Sequence, residues 1–160
     1  MNKNPDWKNM LIRSVEQNDL VAWRPLWDGY NAFYGRAGET ALPEDITRQT
    51  WSRFLDHASP VKALVAERDG KIVGLAHTVT HLSTTRLADV CYLQDLFTVP
   101  EARGQGVARA LIQAVYQRAA AAGCRRVYWQ THETNHTARA LYDKLAEHQG
   151  FIIYACDLPA

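Results

Sequence analysis

Cysteine is scarce in this chain, and its number is odd. Cys91, Cys124 and Cys156 are the three in 160 residues. Their spacings match no zinc or redox motif, so a disulfide scaffold and a zinc centre both drop out. Reduced thiols in a cytoplasmic protein are the natural reading. Long apolar runs are missing as well. No segment approaches the ~20 apolar residues of a membrane span. The N-terminal "MNKNPDWKNM" has no apolar run of signal-peptide type. An excess of one charge is also lacking. With 18 basic and 17 acidic side chains the net charge is +1, which gives no footing to a broad nucleic-acid surface. Repeats, linkers and low-complexity segments are absent. What remains is a chain with 47% hydrophobic residues, ordinary for one globular domain over 1–160.

The patterning predicts a mixed α/β domain of order β-α-α-β-β-β-α-β-α-β. "MLIRSV" reads as a first strand. Asn18-Asp19 supplies a cap for a helix in which Leu20, Trp23, Trp27, Tyr30 and Tyr34 fall at three- and four-residue steps. Pro25 lies inside it as a source of bending, and Gly35 and Gly38 end it. Pro43-Glu44-Asp45 opens a second helix, through about Leu55. Two β-rich runs joined by Arg68-Asp69-Gly70 read as a hairpin. "ADVCYLQDLFTVP" is apolar on both faces, as a central strand should be, and Pro100 stops it. Val107, Ala110, Leu111, Ala114, Val115 and Ala119 make one helical stripe ended by Gly123. "RRVYWQTH" is strand-like. A last helix starts near Thr134-Asn135, and "FIIYACDL" reads as a closing strand.

The stretch "VPEARGQGVARALIQAV" puts two glycines and an arginine at the entrance of a helix. A helix N-terminus exposes unpaired N–H groups and the positive end of a dipole. Glycines let a ligand approach the backbone closely. Together they make an anion site. In Arg103-Gly104-Gln105-Gly106-Val107-Ala108 successive amides can wrap a pyrophosphate, with Arg103 bracing the loop or meeting the charge. A P-loop needs Lys-Ser or Lys-Thr where Val107-Ala108 stand. A dinucleotide fingerprint needs glycine where Arg109 stands. The pattern that fits is Arg/Gln-x-x-Gly-x-Gly/Ala after a strand ending Leu-x-Val/Thr.

That pattern resembles the GNAT superfamily of acetyl-coenzyme-A-dependent N-acetyltransferases. The resemblance is most specific from Tyr92 to Tyr154, through "YLQDLFTVPEARGQGVARALI" and "YWQTHETNHTARALYDKLAEHQGFIIY". It looks most like small enzymes acting on polyamines, amino acids or histone tails. The resemblance implies a mixed central sheet with splayed central strands that form the acyl-CoA cleft. It implies that the backbone of Leu96, Phe97 and Thr98 pairs with pantetheine like an added strand, and that one amide steadies the thioester oxygen. Relatives usually have valine where Thr98 stands. It implies that Tyr142 gives a proton to the departing thiolate and that Asn135 holds the pantetheine arm. By spacing alone Tyr142 reads as a core aromatic, and Asn135 as a helix N-cap. Arg109 and Arg139 are candidates for the cofactor's 3′-phosphate.

Acetyl transfer needs a neutral amine, yet a lysine-type amine has a pKa near ~10.4. Relatives often carry glutamate where Gln94 stands, and glutamine takes no proton at neutral pH. Asp95 is the nearest carboxylate, and burial would raise its pKa and let it work through water. Its other role is a structural acceptor. His77 and His81 share a strand face if no bulge intervenes, and either can relay a proton. A water chain without a single base is the remaining option. His132 and His136 invite a metal reading, but no carboxylate motif completes it, and no metal is expected.

The acceptor pocket implied by the resemblance is shaped by the first two helices. Tyr30 and Tyr34 can line it by cation–π attraction, and Asp28, Glu39 and Glu44 can attract a polyamine. The expected function is acetyl transfer from acetyl-CoA to a small-molecule or protein amine, in a ternary complex. The alternative is a non-catalytic acyl-CoA sensor of the same fold. The resemblance also implies a homodimer paired through "FIIYACDL".

Overall fold

The Asp-Gly dipeptide sets the centre of the sheet. Asp69 and Gly70 both have positive φ, 50° and 73°, as a two-residue hairpin turn of the primed type requires. They join β2 (Val61–Arg68) to β3 (Lys71–His81) in antiparallel register. The structure is a computed structural model and describes residues 9–159. The stretch read for a leader therefore lies mostly outside the described residues.

Five strands form one sheet in the order β1-β2-β3-β4-β5. The others are β1 (Met10–Ser14), β4 (Val90–Thr98) and β5 (Arg126–Tyr128). β4 and β5 run parallel and every other pair antiparallel, so the sheet is mixed, as expected. The helices are α1 (Leu20–Phe33), α2 (Glu44–Leu55), α3 (Val107–Ala121) and α4 (His136–Tyr142). The chain divides into two compact units. One runs to Trp129 and holds the sheet with α1 to α3, and the other begins at Gln130 and holds α4.

Strand alternation sorts the core of the first unit into two faces. Ala63, Val65 and Leu75 meet Trp23, Leu26, Trp27, Trp51 and Phe54 of α1 and α2. The opposite face receives α3 through Val107, Leu111, Ile112 and Val115, all at most 2% exposed. That docking depends on Gly74. A Cβ there would stand 2.7 Å from Val107 Cγ1 and 3.2 Å from the Phe97 carbonyl oxygen. Gly74→Ala is expected to cost about 1–3 kcal/mol through overpacking, read as a lower urea midpoint at unchanged slope.

Three expectations change. Asp19 stands at the N-cap of α1, but its carboxylate does not bond to that helix. It accepts from the Glu16 N–H at 2.7 Å and pairs with Arg13 at 2.6 Å, because a guanidinium is the stronger donor. The "RRVYWQTH" strand shrinks to three residues, since β5 pairs with β4 only at its start. The closing strand is not formed. Residues 151–158 make no ladder, and Phe151, Ile152, Ile153 and Tyr154 are all exposed. β-propensity describes fit to a sheet surface and does not make a strand where no neighbour pairs.

Candidate active site

β4 outruns its parallel neighbour. The pairs are Val90 with Arg126, Cys91 with Val127 and Tyr92 with Tyr128. From Leu93 to Thr98 no β5 residue pairs with β4, and this is the expected splay. Leu96, Phe97 and Thr98 thus keep their β3 partners while the other edge of β4 is open. The Thr98 Oγ1 is buried without a hydrogen-bond partner.

Beyond β4 the chain turns through Pro100–Ala102 into the glycine loop. Gly104 and Gly106 have φ of 71° and 84°, and Gly106 is the left-handed N-cap of α3. A Cβ at Gly104 would meet nothing, so backbone conformation alone selects glycine there. Arg103 braces the loop. Its Nε donates to the Thr98 carbonyl at 3.2 Å, and its guanidinium lies 5.7 Å from the Phe97 ring centre. The Gln105 side chain is also spent on the loop, giving Nε2–H to the Glu101 carbonyl at 2.8 Å and taking a bond from Arg68. The first amides of α3, from Val107 through Ala108 to Arg109, have no intrahelical acceptor, as at any helix start.

The acid–base centre depends on a bulge. Across β3 and β4, Thr78 pairs with Leu93 and His77 with Asp95, so Gln94 is the extra residue. The extra residue puts Tyr92, Asp95 and Phe97 on one face, opposite Val79, His77 and Leu75. In regular register Tyr92 and Asp95 would point to opposite faces. The exposed Gln94 bears no acid–base function, but its carbonyl lies 3.5 Å from the Tyr30 hydroxyl.

Asp95 is 8% exposed and His77 2%. Their Oδ2 and Nδ1 are 2.9 Å apart. The Trp23 indole N–H, which can only donate, gives its proton to His77 Nε2 at 3.1 Å. His77 therefore carries its own proton on Nδ1 and donates it to Asp95. With both nitrogens engaged, His77 positions the carboxylate and relays nothing. His81 differs. Its Nδ1 faces the Leu82 carbonyl at 2.7 Å and its Nε2 the Tyr128 hydroxyl at 2.9 Å, so in the neutral ring Nε2 accepts from Tyr128. The register shift falls between His77 and Thr78, with its extra residue, Gln94, on β4, so β3 itself inserts no residue between His77 and His81.

Tyrosines surround the carboxylate. Tyr92 stacks on Tyr128 at 4.9 Å, and Tyr30 and Tyr34 are 5.1 Å apart. Burial first, then the charge of Asp95 and a hydrogen bond to it, push the Tyr30 phenol well above its ordinary range. Burial and Asp95 also raise Tyr34 and Tyr92. A raised phenol keeps its proton longer in the folded chain than in the unfolded one. The stability it lends is whole below the ordinary pKa of about 10 and fades as pH rises through the folded value. The native protein is thus expected to show phenolate absorbance at higher pH than the denatured chain, and to lose stability in alkali.

The other predicted residues have partners of their own. Asn135 is the N-cap of α4, its Oδ1 accepting from the Ala138 N–H at 3.4 Å. Tyr142 is the last residue of that helix. Arg139 gives Nη1–H to the Glu133 carbonyl at 2.7 Å. His132 Nδ1 is taken by the Thr134 hydroxyl at 2.7 Å. Burial, then the neighbouring Cys124, push the Cys91 thiol up to about 11, which makes it inert. Asp28 and Glu44, both exposed, pair with Arg24 at 2.9 and 2.8 Å. Sequence reasoning missed Trp23, Tyr92 and Tyr128 as members of this centre. Trp23 falls in the apolar stripe of α1, and the two tyrosines come together only through the parallel register of β4 and β5.

The comparisons agree with this geometry. The acetyltransferase (GNAT) family matches residues 23–146. The chain is 33% identical to the D-amino-acid N-acetyltransferase HPA3 of Saccharomyces cerevisiae, over 91% of this chain and 89% of that protein. It is 30% identical to the phosphinothricin N-acetyltransferase of Alcaligenes faecalis, over 79% of this chain and 64% of that one. In fold it is similar to an aminoglycoside N-acetyltransferase crystallised with CoA, with a TM-score of 0.77, 24% identity and coverage of 92% and 94%. With its splayed β4, its glycine loop and its family match over most of its length, the chain belongs to the acetyltransferase (GNAT) family and is an N-acetyltransferase.

Proposed function

We propose that the whole chain, 1–160, acts as one domain that moves an acetyl group from acetyl-CoA to a primary amine by direct attack in a ternary complex. The observation that carries this reading is Asp95. It is a buried carboxylate held by Trp23 and His77 among tyrosine hydroxyls, beside the open edge of β4. Relatives named for D-amino acids and phosphinothricin support a small acceptor.

The residues present fit acetyl-CoA. The backbone of Leu96, Phe97 and Thr98 offers an added strand's partners to the pantetheine arm. The unpartnered Thr98 Oγ1 offers one more polar contact. Amides from Gly104 to Ala108 offer the pyrophosphate a nest of N–H groups. Arg103 and Gln105 hold that loop in shape, and Arg109 in the first turn of α3 is a cation for the 3′-phosphate. Asn135 steadies the pantetheine arm. Acetyl-CoA supplies an activated acetyl carbonyl and a thiolate that leaves.

The chain's own groups then move protons. Asp95 draws in the acceptor's ammonium and takes its proton, directly or through a water. The neutral nitrogen forms the new C–N bond as the C–S bond breaks. An amide of β4 donates to the carbonyl oxygen as charge develops there. Tyr142 gives its hydroxyl proton to the departing sulfur, and the proton that the nitrogen sheds as it becomes an amide returns through water to the phenolate. The exposed apolar residues 151–158 are the surface on which a second copy would pair to form a homodimer.

Thiol release with acetyl-CoA tests the reading against a panel of small amines. Steady turnover on at least one amine, with the acetylated amine seen by mass, is expected. Binding of acetyl-CoA with no turnover on any amine would contradict it.

A further inference from the structure

Arg36 is a cation with a fixed orientation. Its backbone N–H bonds to the Asn31 carbonyl at 2.9 Å, and its Nε–H to Asn31 Oδ1 at 2.7 Å. Asn31 is 4% exposed, and its Nδ2 donates to the Trp27 carbonyl at 2.8 Å. That bond sets the amide, so Oδ1 must face Arg36. Gly35, with φ of 77°, turns the chain out of α1 so that this happens. The guanidinium lies 5.5 Å from the Tyr34 ring centre and 5.9 Å from that of Tyr30. Among the described residues no carboxylate is in ion-pair reach of it. A guanidinium held through Nε leaves its two Nη groups as a planar fork, the shape that matches a carboxylate.

The same two tyrosines face an anion. The Tyr30 hydroxyl lies 3.5 Å from the carbonyl of Gln94, the residue before Asp95, and both phenols lie in the fields of Asp95 and Arg36. The same pair of phenol rings is thus shared by a carboxylate, Asp95, and a guanidinium, Arg36.

We propose that Arg36 binds the carboxylate of the acceptor, so that the substrates are amino acids with a free carboxyl group. The inference rests on the acetyl-transfer reading above. Asp95 receives the ammonium end and Arg36 the carboxylate end of one zwitterion. A polyamine or an aminoglycoside brings further positive charge to Arg36 and no carboxylate to meet it, so the same residue selects against them.

The test compares three forms of each acceptor: the free amino acid, its carboxamide and its decarboxylated amine. Thiol release is followed with wild type, Arg36→Gln and Arg36→Lys. A charge-assisted bidentate contact predicts that wild type favours the free acid by about 10- to 100-fold in kcat/KM. Arg36→Gln should erase that preference, mainly through KM, and leave the carboxamide within about 3-fold of wild type. Arg36→Lys should fall between, because it keeps the charge and loses the fork. Equal wild-type rates on acid and carboxamide would overturn the proposal. So would an Arg36→Gln variant that loses both alike, since that marks a merely structural role. Thiol release from no amine at all would instead remove the acetyl-transfer reading, and the proposal with it.

Discussion

Asp95→Asn is expected to lower kcat/KM for acceptor acetylation by about 10²–10³-fold while acetyl-CoA affinity stays at the wild-type value. The substitution is chosen for what it keeps. An asparagine has the same volume, and its Oδ1 can still accept the proton that His77 carries on Nδ1. Trp23 can still donate to His77 Nε2, and the bulge at Gln94 is untouched. What goes is the negative charge that draws an ammonium and accepts its proton. The backbone edge of β4 and the glycine loop make no use of that charge, so cofactor binding should not follow activity downward. The measurement is a pair: steady-state acetylation and a calorimetric titration with acetyl-CoA. A variant with wild-type turnover and wild-type affinity would show that Asp95 is only a structural acceptor for His77 and Tyr30, and that the amine loses its proton elsewhere.

Tyr142→Phe carries the second large effect. Loss of a positioned general acid costs about 10²-fold or more when the leaving group needs its proton. Here the leaving group is a thiolate, weakly basic beside an alkoxide, so the lower end of that range is expected. The ring remains, and acetyl-CoA affinity should change little. Turnover equal to wild type on a good acceptor would remove Tyr142 from the chemistry and leave it as a helix-end aromatic. Combined with Asp95→Asn, the double variant separates the two protons. Groups that act on different steps give less than additive losses when one step limits the rate.

The parts of this account legible in the sequence are those governed by local chemistry. Asp69-Gly70 specifies its own turn, Pro43-Glu44-Asp45 opens α2 at Glu44, and Gly104 and Gly106 adopt the positive φ their spacing calls for. Asn135 caps α4 as its position predicts. The parts that were not legible depend on neighbours distant in sequence. The bulge at Gln94 exists only in the register of β4 against β3, and nothing in "YLQDLF" marks it. The tautomer of His77 is set by an indole 54 residues away. Glu44 pairs with Arg24, 20 residues away, which its place in the first turn of α2 does not announce. "FIIYACDL" read as a strand because side-chain type reports fitness for a sheet and not the presence of one.

The central claim is that the open edge of β4 and the glycine loop after it receive acetyl-CoA. Calorimetric titration of the wild-type protein with acetyl-CoA tests it most directly, alongside a Gly106→Val variant that forces a side chain into a left-handed N-cap. Saturable binding at one site per chain is expected, with loss of at least about 10-fold in affinity in the variant, since a β-branched residue resists that φ. No binding by the wild-type protein, or equal binding by both, would contradict it.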